Sequence, residues 1–250
     1  MQIGRTANPA LSANTFVGLP AATRDDVMTL GGTVGKSTIL LLVLLIAASY
    51  TWDLHFGGAE TSALMPYIWG GAGVGFALAL ITVFKKTWSP VTAPLYAGAQ
   101  GLFLGAFSGY MESLFPGIVI QAVGLTFGTF AALLMAYASG LIKATENFKL
   151  GVVAATGGVA LVYLVSIVMG FFGTGIPMIH ESGPMGIGFS LVVVVIAALN
   201  LVLDFDFIEA GVEHGAPGYM EWYASFGLLV TLIWLYLEMI RLLSKLRSRN

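Results

Sequence analysis

The chain reads as an all-α integral membrane protein with seven transmembrane helices, and three observations say so. Of its 250 residues, 57% are hydrophobic and only 10% charged, against about 25% charged in an ordinary soluble domain. Apolar runs close to the ~20 residues needed to cross the hydrocarbon recur along the chain, separated by turn residues. Lys and Arg concentrate in alternate breaks between those runs.

Taken in order, residues 1–35 form a polar arm containing Pro and Asn but no apolar core of signal-peptide length, so a cytoplasmic, partly ordered arm is expected. The seven-helix domain, 36–250, has spans at about 36–52, 63–84, 91–110, 115–141, 150–172, 186–208 and 222–246. The first is short, with Lys36 able to snorkel to the interface from its end. In the third, Ala97, Gly101, Gly105 and Gly109 recur every four residues, a small-residue ridge that lets helix backbones approach closely. Gly71/Gly75 and Gly124/Gly128 carry the same expectation. Breaks such as Thr87-Trp88-Ser89-Pro90, Phe115-Pro116-Gly117 and Gly215-Ala216-Pro217-Gly218 are turn signals.

Basic residues set the orientation, since they accumulate in cytoplasmic loops. Arg5, Arg24 and Lys36 precede span one, Lys85 and Lys86 follow span two, and Lys143 and Lys149 follow span four. The alternate loops hold Asp53, His55, Glu60, Glu112, His180 and Glu181 without any Lys or Arg. The N-terminus is therefore expected in the cytoplasm. Seven crossings then leave Arg241, Lys245, Arg247 and Arg249 outside, and a re-entrant last segment is the alternative topology.

Several function classes find no support. Cysteine is absent, so thiolate chemistry and disulfides are excluded. A net charge of -2 and the lack of any basic cluster speak against nucleic acid. The stretch Gly31-Gly32-Thr33-Val34-Gly35-Lys36-Ser37-Thr38 resembles a phosphate loop but has three residues between its outer glycines where four are required. His55, His180 and His214 lack metal-ligand spacing, and no serine elbow or zinc-protease motif occurs. No enzyme and no cofactor are expected.

The apolar windows of the last two spans nevertheless carry acids, which are expensive in lipid and mark ion or proton paths. Asn200 and Asp204 share one face of the sixth span, with Ile208 continuing it. Asp206 is rotated away toward headgroup water, and Glu209, Glu213 and Glu221 read as an acidic loop. On the seventh, Glu238 has two candidate partners: Arg241, at i+3 on its own helix, or Asp204 across the helix interface. In the second case the two acids share a proton. Counted from the Pro217-Gly218 turn, Asp204 is 13 residues back and Glu238 is 20 on, a depth mismatch of about 10 Å for straight helices.

The chain resembles the Bax inhibitor, or transmembrane BAX inhibitor motif, family, and its bacterial branch most closely. The matching features are Asn8-Pro9, Met28-Thr29 with Lys36, Gly140-Leu141-Ile142-Lys143, and the patterns LNLVLDFDFIE and LYLEMIRLL around Asp204 and Glu238. The resemblance implies seven helices with the last surrounded by the others, in a bacterial inner membrane. It also implies a pH-sensitive calcium leak whose sensor is an acid on each of the last two helices, here Asp204 and Glu238, both touching the transient cation. Asp206, Asn200 and Arg241 are accessory, and Lys85 or Lys86 stands in for the basic latch residue of a relative. Calcium and protons are the expected passengers, and the bilayer and other membrane proteins the expected partners. Two alternatives accompany this reading: an interaction regulator, for example of a membrane protease, and a proton-coupled transporter.

Overall fold

The computed structural model describes residues 27–172 and 181–249; Arg5, Asn8, Pro9, Arg24 and His180 lie outside the described residues. Among those described are seven α-helices, one 3-10 turn and no strand. The helices are α1 (Leu30–Phe56), α2 (Thr61–Phe84), α3 (Ser89–Leu114), α4 (Ile118–Ala138), α5 (Glu146–Phe171), α6 (Pro184–Glu213) and α7 (Tyr219–Ser248), with the 3-10 turn at Lys86–Trp88. Six are long and apolar enough to cross a membrane, and α3 is the exception. Its sequence includes Thr92, Gln100 and Ser108, all buried within the protein.

Most helices outrun the apolar windows, because capping turns carry no hydropathy signal. Helix α1 begins six residues before the expected position: Thr29 caps it by accepting from the Gly32 amide at 2.9 Å. The phosphate-loop look-alike is thus the opening of a helix, and Lys36 lies in its second turn. The last two segments are unbroken helices of 30 residues each. Between them, Gly215 takes a left-handed conformation (φ +60°) and the amides of Gly215 and Ala216 return to the carbonyls of Val212 and Gly211, ending α6 in the manner glycine permits.

The chain divides into two compact units. One holds α1, α2, α3, the end of α6 from Phe207 and α7 through Val230; the other holds α4, α5, α6 through Asp206 and α7 from Thr231. In the first, α3 packs on both α1 and α2. A Cβ on Gly101 or Gly105 would collide with the carbonyls of Leu44 or Ala48, and one on Gly109 would come within 2.9 Å of the His55 ring. The ridge expected on the third span is the α1 contact. Gly71 and Gly75 similarly admit Ala99, Phe103 and Gln100 of α3. Gly124 and Gly128 do not follow: nothing among the described residues lies within 4 Å of a Cβ at either. Spacing identifies a smooth face but not what covers it.

In the second unit aromatic contacts tie the helices together. Phe205 of α6 meets Phe130 and Tyr137 of α4 at 5.7 and 5.8 Å between centroids, and Phe189 of α6 meets Tyr163 of α5 at 6.1 Å.

Candidate functional site

Helices α6 and α7 are set apart by burial: more than half of their apolar windows is buried, against less than a fifth in α1, α2, α4 and α5. Their acids are correspondingly deep. Asp204 is 0% exposed and Glu238 2%, so neither reaches lipid.

Glu238 is held by two side chains. Arg241, one turn along α7, donates from Nη1 to both carboxylate oxygens, at 2.9 and 3.1 Å. The Tyr163 hydroxyl of α5 donates to Oε1 at 2.9 Å, and Arg241 also reaches that hydroxyl while its guanidinium lies 4.9 Å from the Tyr163 ring centroid. Lys245, a turn further along α7, is buried and donates to the Gly186 carbonyl at 3.1 Å and to Ser190 Oγ at 2.8 Å. Of the two partners that sequence allows for Glu238, the structure thus shows Arg241.

The Lys245 contacts also fix the register of α6 against α7. With Lys245 beside Gly186 and Ser190 in an antiparallel pair, Glu238, seven residues earlier, lies opposite the region of residues 193–197. Asp204 is seven to eleven residues further along α6, about 10–16 Å of helix axis. Both helices are unbroken, so no break removes the depth mismatch counted from the sequence. The two carboxylates are successive polar positions along the α6–α7 pair.

Around Asp204, Asn200 is 2% exposed and donates to Thr156 Oγ1 of α5 at 2.9 Å and to the Ile196 carbonyl at 2.8 Å. Asp206 does not simply meet headgroup water, as its rotation away from the Asp204 face suggested. Lys149, in the first turn of α5 and nearly buried, reaches it at 2.7 Å and also approaches Glu146 at 3.7 Å. Sequence assigned Lys149 to a loop between spans; its role becomes visible only once α5 begins at Glu146.

The acidic loop is likewise redrawn. Glu209 and Glu213 belong to α6, and Glu221 to the first turn of α7. Glu221 is 6% exposed and accepts from the Thr29 amide at 2.8 Å, from Thr29 Oγ1 at 2.9 Å and from the Lys36 ammonium. Beside it Ser225 Oγ donates to the Thr33 carbonyl at 3.0 Å, Ser89 Oγ to the Tyr219 carbonyl at 2.9 Å, and the Met28 amide to Ala216 at 2.6 Å. This network fastens the starts of α1 and α3 to the start of α7. Lys85 and Lys86, the expected latch residues, sit over aromatic rings: Trp88 at 4.5 Å and Tyr223 at 6.0 Å. Burial also pulls the Lys86 ammonium below the usual lysine range.

Chemically the site offers carboxylate oxygens in a dry setting, which suits hard cations. No group of three or more His, Cys, Asp or Glu gathers among the described residues. A comparison with curated proteins finds no match, and neither does one with solved structures. The family model described as Bax inhibitor 1 like matches residues 8–248, nearly the whole chain, and the match includes Asp204, Asp206, Glu221, Glu238, Arg241 and Lys245. The chain is a member of the Bax inhibitor 1 like family.

Proposed function

We propose that this membrane protein is a pH-sensitive cation leak, with calcium as the passing ion and Asp204 and Glu238 as the carboxylates that admit and sense it. The observation carrying this is that two acids lie fully buried on the two most buried apolar helices. A carboxylate retained at such cost usually serves an ion or proton path. Because the register sets the two at different depths, they act as successive stations, each lost when it takes up a proton. Flux accordingly rises with pH.

Seven crossings with α7 central, a cytoplasmic N-terminus and a bacterial inner membrane complete the proposal. The continuity and burial of α7 support the first, and the Lys/Arg asymmetry of the loops supports the orientation. No catalytic group or cofactor is needed.

Liposomes loaded with a calcium dye and carrying the purified protein provide the test. Asp204→Asn and Glu238→Gln should each lower the calcium leak at pH 7.5 by about tenfold, the scale set by losing about 1.4 kcal/mol of ion stabilisation. Wild-type flux in both variants would remove the acids from the path.

A further inference from the structure

We infer that Arg241 is a tethered internal cation that competes with the passing ion for Glu238, and that Tyr163 positions it. This deepens the leak proposal and rests on it for its physiological meaning, though the competition itself is a binding property.

Arg241 Nη1 sits on both oxygens of Glu238, at 2.9 and 3.1 Å, while the Tyr163 hydroxyl takes a further lone pair of Oε1 at 2.9 Å. A metal ion approaching this carboxylate meets oxygens already engaged by a positive charge. Entry requires that the guanidinium move.

The surroundings allow that movement. The Arg241 side chain is 42% exposed where that of Glu238 is 3%, so the cation lies at the open side of the pair and the anion at the closed side. The Tyr163 ring, 4.9 Å from the guanidinium carbon, offers a cation–π contact that survives when the carboxylate is released. Arg241 therefore has a second resting place within reach. Lys245 comes from the same helix and feels both Glu238 and Arg241, but its ammonium is spent on Gly186 and Ser190 of α6. Arg241 is thus the cation positioned directly on the Glu238 carboxylate. A local i,i+3 spacing returns the guanidinium after each displacement, since neither group leaves its helix.

Calcium titration calorimetry on protein in nanodiscs at pH 7.5 tests this without reference to flux. Arg241→Gln should bind calcium at least about tenfold more tightly than wild type, and adding Glu238→Gln should erase the gain. Tyr163→Phe keeps the ring and removes the hydroxyl; it should tighten binding about threefold, which keeps the test open if Arg241→Gln does not fold. Unchanged affinity in the variants that fold, or a gain that survives Glu238→Gln, would overturn the inference. Tighter binding in Arg241→Gln with no leak from any variant would uphold the competition and refute the leak.

Discussion

Glu221 shows how a single side chain can organise its surroundings. Three donors converge on it, and a Cβ on Gly32 would collide with its carboxylate, whereas one on neighbouring Gly31 meets nothing within 4 Å. Intrinsic helix propensity favours alanine over glycine, by about 1 kcal/mol in a helix interior and less in the first turn where both positions lie. The two substitutions should therefore part: Gly31→Ala holds or raises the unfolding temperature in detergent, and Gly32→Ala lowers it. Lys36→Met leaves the Glu221 charge without its ammonium and should cost about 3 kcal/mol, near the lower end for breaking a buried pair because Lys36 is 26% exposed. Parallel thermal melts of the three proteins decide both points. Sequence showed Glu221 only as part of an acidic loop. What makes it structural is the chain reversal at 214–218 together with a partner, Thr29, 192 residues away.

Among the elements, α3 is the clearest case of sequence and packing agreeing. Its four-residue glycine ridge was legible, and the structure supplies the covering helix, α1, whose carbonyls lie where side chains would be. In a membrane such close approach is itself the stabilising contact, since lipid tails are as apolar as the helices. Gly105→Ala should destabilise through collision with backbone, while Gly128→Ala, in open surroundings, should not. A Gly128→Ala protein that melts well below wild type would show that the Gly124/Gly128 side of α4 is covered. Helix existence and order were legible from apolar runs. The early start of α1 was not, because a capping turn carries no hydropathy signal.

For the whole molecule, Asp204 and Glu238 stood out in the sequence because a carboxylate interrupts an otherwise apolar window. Their relationship was less legible. Glu238 is 75 residues from Tyr163, a pairing no local spacing reveals, and the α6–α7 register emerges only from contacts such as Lys245 with Ser190. The leak proposal makes these two acids the source of both ion passage and pH response, so the most direct measurement is calcium flux into proteoliposomes from about pH 5 to 8, beside the Asp204→Asn/Glu238→Gln double variant. Wild-type flux should climb with pH, and the double variant's flux should be low and flat. Wild-type and double-variant liposomes that are equally silent, or that respond equally to pH, would contradict the leak proposal.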